Sequence, residues 1–306
     1  MAKIVACLHR GKVEVLRHGQ AVQRLESPYL GQLTAAGEAR AEARIVSITR
    51  GRISGELCYA ISNNALSGVF VQVPERGDEQ QLFHGVDAQL SELDFSQAVG
   101  SLACAVAGAD GTSALGVISD DGKGLRTVTE GDVIDRAPRW APGGRSEIVY
   151  ASAGIGRTRT GRAVARSPFA LHRLRFSDNS VEVLMADAQY DYTAVVPVSE
   201  NVLYALRCHY DGSRPSSALS RISSAFRDLL AFGKRKGAAG PQANELVRIT
   251  TKGSQLVAQD VFAFDVAANE DIVYSSAAGV SMISAGQAAP ERISALEDVE
   301  QLVVYS

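Results

Sequence analysis

The chain has 306 residues, of which 46% are hydrophobic and 21% are charged, and its formal net charge is −3. This balance excludes a protein that binds nucleic acid over its whole surface, because such a surface needs an excess of basic residues. No apolar run approaches the roughly 20 residues that span a bilayer. The apolar stretch before His9 and Arg10 is short, so it predicts a strand rather than a signal peptide. We therefore expect one cytoplasmic domain over residues 1–306.

A strand of similar sequence recurs along the chain, near residues 4, 57, 102, 148, 202 and 272. The steps of about 45 to 70 residues suit four strands each, which is typical of a β-propeller blade. The third blade is the most regular. Strands predicted at 102–106, 114–119 and 125–128 are separated by Asp-Gly turns, which strongly favour hairpins. No segment between these three strands has the helical periodicity of a βαβ unit.

One copy of the repeat, at residues 135–152, carries a specific motif. It contains P-R-W-A-P-G-G at 138–144 and I-V-Y-A-S at 148–152. This run resembles the P-x-W-S-P-D-G…I-x-Y-x-S repeat of TolB-like (WD40-like) propellers, although Ala141 and Gly143 replace the Ser and Asp of that repeat. The resemblance implies a propeller fold, but propellers carry many different functions.

The two ends of the sequence predict how the ring closes. After the strand near 292–294, residues 301–305 predict one further strand. Together with the predicted strands 4–8, 12–16 and 21–25, it would complete a blade and cover sheet edges that are otherwise open. We therefore predict an all-β, six-bladed β-propeller closed by one C-terminal strand that pairs with three N-terminal strands.

Two insertions interrupt the repeat, at about 154–166 in blade four and about 210–242 in blade five. Both lie between the second and third strands, so we expect them to emerge on the same face of the propeller. The first insertion has no acidic residue and four arginines, namely Arg157, Arg159, Arg162 and Arg166. It is either a solvated basic loop or a site for an acidic partner, a phosphate or a nucleic acid.

The second insertion contains a short helical pattern that begins near Pro215 and ends at Gly233. Its apolar residues, including Phe226 and Leu229, share one stripe. A basic run follows, consisting of Lys234, Arg235 and Lys236. The stripe packs either on the propeller's own rim, in a groove of a partner protein or on a membrane surface.

Aspartates recur just before the inner strands of four blades, as Asp87, Asp132, Asp187 and Asp260. These positions lie near the predicted mouth of the central channel, on the face that carries the insertions. The aspartates either cap turns and bond between blades or form a ring of carboxylates. Such a ring could hold a divalent cation, which is the one cofactor that the sequence suggests.

The four cysteines, Cys7, Cys58, Cys104 and Cys208, are widely spaced and predict buried free thiols. The sequence has no metalloprotease, α/β-hydrolase or P-loop motif. We therefore expect a non-catalytic scaffold that binds another protein, with an acidic surface, through the channel face and the basic insertions. The alternatives are a metal-dependent hydrolase or lyase that uses the carboxylates at the channel mouth, and a propeller that senses a ligand.

Overall fold

The computed structural model describes residues 4–17, 20–32, 43–63, 66–86, 88–108, 110–212, 244–287 and 289–305. Within these ranges the chain forms 25 strands and a single short helix, α1 (Pro28–Gln32). The described part of the chain holds no helix with the length and hydropathy that crossing a bilayer requires.

The strands follow one another as antiparallel meanders, which we number as units one to six. Unit one begins with β1 (Ile4–His9), β2 (Lys12–Arg17) and β3 (Gln20–Leu25). Unit two consists of β4 (Arg44–Arg50), β5 (Leu57–Ser62), β6 (Leu66–Gln72) and β7 (Glu79–Val86). Unit three consists of β8 (Gln89–Ser96), β9 (Ser101–Ala107), β10 (Ser113–Ser119) and β11 (Leu125–Thr127).

Among the described residues, unit four has one strand more than the others. It consists of β12 (Val133–Trp140), β13 (Glu147–Arg157), β14 (Ala163–Arg166), β15 (Ala170–Arg175) and β16 (Ser180–Met185). Unit five consists of β17 (Tyr190–Ser199), β18 (Val202–His209), β19 (Glu245–Thr250) and β20 (Gly253–Ala258). Unit six consists of β21 (Ala263–Val266), β22 (Ile272–Ser276), β23 (Gly279–Ile283) and β24 (Glu291–Ser294). The last strand is β25 (Val299–Tyr305).

The C-terminal strand β25 pairs with the N-terminal strand β1. The two strands are antiparallel, and Ile4 lies opposite Tyr305 while Leu8 lies opposite Gln301. The sheet order β25-β1-β2-β3 therefore makes unit one from one C-terminal and three N-terminal strands, as the sequence predicts. Units three and four are joined by a single parallel bridge between Ser113 and Ile134, so that their strands form one extended sheet.

The second strand of a unit is an apolar run because both of its faces are covered. All six residues of β5 are buried, and neighbouring units pack against the two faces. The buried hydrophobic residues form six clusters, and each cluster joins two successive units, including units six and one. Cys7, Cys58 and Cys104 are fully buried in these clusters, whereas Cys208 is half-buried, and all four thiols are free.

Neighbouring units also meet through their first strands, which we call inner strands, with β25 as the inner strand of unit one. Each inner strand contacts the inner strand of the next unit, in the order β25, β4, β8, β12, β17 and β21. Strand β21 also contacts β25. Side chains of one inner strand accept hydrogen bonds from backbone N–H groups of the next inner strand. Ser47 accepts the N–H of Leu93 at 2.8 Å, and Thr49 accepts that of Phe95 at 3.4 Å. This register shows that β4 and β8 run in the same direction.

Inner strands that run in the same direction give the molecule two distinct ends. We call the end where they begin the upper end and the end where they finish the lower end. Because each unit is a meander, the connections between second and third strands lie at the upper end. The connections between third and fourth strands lie at the lower end, including the turn at Gly122, which has φ of 72°. A Cβ atom on Gly122 would lie 1.9 Å from the carbonyl oxygen of Leu82 in unit two, so that this turn requires glycine.

Candidate interaction surface

The first insertion forms a hairpin at the upper end of unit four. Strand β13 continues beyond its partner β15 and pairs with β14, so that Ile155 lies opposite Arg166 and Gly156 opposite Ala165. The turn is closed by a hydrogen bond of 2.8 Å from the Thr158 N–H to the Arg162 carbonyl. Residues 154–166 therefore form a two-stranded ribbon whose strands satisfy each other's backbone groups, and the turn of this ribbon is exposed to solvent.

Arg157 fastens this hairpin to unit three. Its Nε donates to Asp132 Oδ1 and its Nη2 donates to Asp110 Oδ2, both at 2.6 Å, while Nη1 donates to the Gly161 carbonyl at 3.1 Å. The hydrogen bond to Asp132 raises the pKa of Arg157 above its ordinary value. A hydrogen bond from Thr112 lowers the pKa of Asp110, and Arg157 lowers it further. Arg157 is thus a structural anchor whose charge is balanced within the chain.

Arg159 and Arg162 lie in the exposed turn of the hairpin. Arg159 makes no hydrogen bond or ion pair with any residue of the described ranges. Val164, which follows on β14, is 42% exposed and is left out of the β13–β14 register by a bulge. The tip of the hairpin therefore presents positive charge beside an apolar side chain.

Arg166 lies at the base of the hairpin and joins unit four to unit five. Its two terminal nitrogens donate to the two carboxylate oxygens of Asp191 at 2.7 and 2.6 Å. The guanidinium lies over the rings of Phe169 and Tyr210, at 4.7 and 5.1 Å from their centroids. The N–H of Phe169 also donates to Asp191, and the Tyr210 hydroxyl donates to the Arg166 carbonyl. These partners could not be predicted from the sequence, because no local pattern links residues of two different units.

A half-open cavity of about 280 Å³ lies beside this cluster, at the upper end of unit five. It is lined by Tyr190, Cys208, His209, Asn244, Glu245, Gln259 and Asp260. The Tyr190 ring stacks on His209 with centroids 4.7 Å apart, and Arg207 lies over the same ring at 4.4 Å. Arg207 also donates to Glu245 at 2.8 Å. Burial raises the pKa of Cys208 to about 11, which makes this thiol a poor nucleophile.

The aspartates proposed as metal ligands lie in different surroundings. Asp132 is engaged by Arg157, and Asp187 accepts the N–H of Gln189 at 2.7 Å, which is a turn-capping contact. Asp260 borders the cavity with φ of 58°, and Asp87 lies outside the described residues. In the part of the chain that the structure describes, no three His, Cys, Asp or Glu side chains come together in a way that could hold a metal ion. A cation site at the channel mouth stays a prediction.

The second insertion falls mostly on residues 213–243, which lie outside the described ranges. The helical pattern and the candidate residues Phe226, Leu229, Lys234, Arg235 and Lys236 belong to this part. The chain leads into it after Gly212 and returns at Asn244. Tyr210, two residues before that point, contacts Arg166 at the base of the hairpin. The two insertions therefore depart from neighbouring positions at the upper end.

Comparison with known proteins identifies the fold. No family model matches the sequence, and a search of curated proteins found no relative. Among solved structures, a chain of a nidogen/laminin complex matches with a TM-score of 0.62 and 7% identity, over 99% of this chain and 98% of that one. TolB from Acinetobacter baumannii matches with a TM-score of 0.61 and 11% identity, over 99% of this chain and 66% of TolB.

The tricorn protease is a third neighbour, with a TM-score of 0.56 and 12% identity over 99% of this chain and 34% of the protease. At such low identities these likenesses show the fold alone. The chain has a TolB-like propeller fold, which confirms the resemblance carried by residues 138–152. One neighbour comes from a protein complex and another is a protease, so that the fold by itself does not choose between binding and catalysis.

Proposed function

We propose that this chain is a non-catalytic scaffold that binds another protein, one with an acidic surface, through the upper face of a closed six-bladed ring. The observation that carries the proposal is the hairpin β13–β14. Its base is fixed by Arg157 and Arg166, and its tip exposes Arg159 and Arg162.

The six-bladed ring is supported by the way the units meet. Each of the six core clusters joins successive units, and the last one packs Val5 and Leu16 of unit one against Val273 and Val280 of unit six. The inner-strand contacts likewise return from β21 to β25. In this arrangement each unit is one blade, and the inner strands surround a central channel.

A hairpin that is already fixed in position favours recognition. Arg157 and Arg166 hold the two strands of the hairpin through carboxylates of units three and five. Because the hairpin backbone is already ordered, binding costs little conformational entropy there. The exposed arginines at the tip attract an acidic surface and speed the encounter with it. The apolar Val164 beside them supplies a contact that is excluded from water on binding.

Charge reversal at the hairpin tip tests the proposal. The double variant R159E/R162E should lose the proteins that the full chain captures in a pull-down, because the tip becomes acidic. The matched control K123E/K252E makes the same change in net charge in exposed turns at the lower end and should retain them. Each captured protein should bind the purified chain with an affinity that falls as salt rises.

The proposal is contradicted if both double variants capture the same proteins equally well. Deletion of residues 215–239 is a separate arm that tests the second insertion. We expect this variant to remain folded, by circular dichroism, and to lose part of the captured set. Retention of the full set would exclude the second insertion from the binding surface.

A further inference from the structure

Strand β16 is an open edge of the sheet that contains units three and four. It pairs with β15 on one side, and no strand of the described ranges pairs with its other side. Its sequence, S-V-E-V-L-M, contains no proline, glycine or basic residue. Val181 and Val183 are 54% and 57% exposed and share one face, because alternate side chains of a strand point the same way. Strand β16 therefore combines an open edge with an exposed apolar strip.

The hydrogen bonds of unit four show how the backbone of β15 is oriented. The Phe176 N–H donates to the Ser146 carbonyl at 3.1 Å, one step beyond the opposed pair Glu147 and Arg175. Opposed residues of an antiparallel ladder alternate between pairs that exchange hydrogen bonds and pairs that do not. Arg175 and Arg173 therefore direct their backbone groups away from β13 and towards β16. The residues between and before them direct theirs towards β13.

This alternation determines which backbone groups of β16 are free. Val181 lies opposite Leu174 and Val183 lies opposite His172, and both of these β15 residues bond towards β13. The N–H and C=O groups of the two valines therefore point away from β15, to the open edge. The same residues thus present apolar side chains and unpaired backbone groups, a combination that favours pairing with another strand.

Several other outer strands are less available for pairing. Strands β11 and β24 have only three and four residues. Strand β7 is closely approached by the unit-three turn at Gly122, which lies against the Leu82 backbone. Strand β20 exposes a single large apolar side chain, Leu256, at 46%. Short or covered edges protect sheets against further pairing, and β16 is neither short nor covered by a described residue.

The open edge of β16 is complementary to itself. An added antiparallel strand must place residues with outward backbone groups opposite Val181 and Val183. A second β16 does so when the twofold axis passes through Glu182, because Val181 of each copy then lies opposite Val183 of the other. This register forms two pairs that exchange hydrogen bonds and brings four valines together on one face.

The charges near this axis are also compatible with a second copy. Glu182 projects from the face of β16 opposite to the valines, and its carboxylate accepts a hydrogen bond from Arg175 Nη2 at 2.5 Å. Arg173 Nη1 lies 3.6 Å from the same carboxylate oxygen. Like charges directly opposite each other destabilise a strand pair, but each Glu182 brings its own arginine partners to the axis. Register and charge therefore both fit a second copy of this chain.

We propose that β16 pairs with β16 of a second copy of this chain, antiparallel and about a twofold axis at Glu182. The pairing joins unit four of both copies into one continuous sheet. Because the contact is a single short strand pair, it is smaller than the interfaces of stable dimers, and the association is weak and reversible. The dimer carries two β13–β14 hairpins, so that a partner with repeated acidic sites would be held by two contacts.

Sedimentation equilibrium of the full chain at increasing concentrations tests the pairing. The average mass of the native chain should rise towards twice that of a single chain. The variant V181K/V183K sets lysine opposite lysine in the proposed register and should keep the mass of a single chain throughout. The variant V181K/V183E sets lysine opposite glutamate and should associate as the native chain does. Both variants replace the same exposed residues, so that an effect on folding alone would not separate them.

The control S254K/L256K adds two lysines to the outer strand β20 and should associate like the native chain. The proposal is overturned if the native chain keeps the mass of a single chain at every concentration. Equal behaviour of V181K/V183K and V181K/V183E, or loss of association in the control, overturns it as well. A native chain that stays single but loses its captured proteins in V181K/V183K would assign the edge to a strand of another protein instead. The mass measurements require no partner, so that their result is independent of the pull-down that tests the proposed function.

Discussion

Arg166 and Asp191 are joined by two parallel hydrogen bonds of 2.7 and 2.6 Å between a hairpin of unit four and the inner strand of unit five. The side chain of Asp191 is only 6% exposed, so that its carboxylate depends on this partner. Of the four arginines in the first insertion, the two at the base of the hairpin are thus engaged within the chain. The two at its tip, Arg159 and Arg162, are exposed. Substitutions at these two pairs of positions should therefore have different effects.

Replacement of Arg166 by Ala should lower the free energy of unfolding by about 3 to 5 kcal/mol, because it leaves the buried Asp191 carboxylate without its counter-charge. The matched variant R159A removes an exposed arginine from the same hairpin and should change stability by less than about 0.5 kcal/mol. Urea denaturation of the two variants measures the difference. Equal stability of R166A and R159A would show that the Asp191 pair contributes little.

Replacement of Gln301 by Ala should lower the free energy of unfolding by about 3 kcal/mol. The Gln301 amide accepts the Ile48 N–H at 2.9 Å and donates to the Ile48 carbonyl at 2.7 Å, so that its removal leaves two groups of a buried residue unpaired. The control is Q255A, on the exposed strand β20, which should be close to native. A Q301A chain as stable as Q255A would contradict the role of Gln301 in joining units one and two.

Two glycines with similar backbone conformations should respond differently to substitution by Ala. Gly122 and Gly143 have φ of 72° and 77°, but only Gly122 lacks space for a Cβ atom. G143A should cost about 1 kcal/mol from backbone strain. G122A should cost about 3 kcal/mol or more, because its Cβ displaces the Leu82 backbone of the neighbouring unit. Thermal unfolding of both variants checks the order, and equal costs would refute the close approach.

The stability of the fold should depend on pH through His172. Burial lowers the pKa of His172 below its ordinary value of 6.5, although nearby Asp135 opposes the shift. The folded state therefore disfavours the proton, and the stability present above about pH 6.5 is lost as the pH falls through the lowered pKa. The H172Q variant should lack this slope, whereas the exposed-site control H84Q should keep it. The quantity to compare is the change in unfolding free energy between pH 7.5 and pH 5.5, on the order of 1 kcal/mol per shifted pKa unit.

In H172Q the contact between His172 and the Tyr150 ring, with centroids 5.5 Å apart, is also altered. The test therefore compares how the unfolding free energies of the two variants depend on pH, and not their absolute stabilities. A native slope in H172Q would assign the pH dependence to other groups. Asp135, whose pKa burial raises, interacts electrostatically with His172, and its contribution has the opposite sign.

The sequence predicts the strands and their turns because those signals are local. The Pro-Gly-Gly turn after Trp140, the Asp-Gly turn at Gly122 and the apolar run of β5 all follow from neighbouring residues. The pairing of β25 with β1 could also be predicted, because an unpaired strand at each end of the sequence leaves one arrangement that covers both edges.

The parts that escaped prediction depend on residues that are distant in sequence. The hydrogen bond between Arg50 and Asp265 joins positions 215 residues apart, and that between Arg139 and Asp94 joins positions 45 apart. Glu92 and Ala137 adopt φ of 52° and 49° at bulges of the inner strands, where a glycine would have signalled the conformation. The β13–β14 pairing could not be predicted from the sequence, because it involves only two short segments without a strong hairpin turn signal.

The pairing of Ile4 with Tyr305 places the first and last described residues side by side as neighbours in one antiparallel ladder. A short linker could therefore join them as an ordinary hairpin connection, and new ends could be opened in the exposed turn at Gly77 between β6 and β7. Such a circularly permuted chain would keep every strand pairing. Its N-terminal and C-terminal strands would together complete unit two instead of unit one. The order in which the units are synthesised would change while the architecture stayed the same.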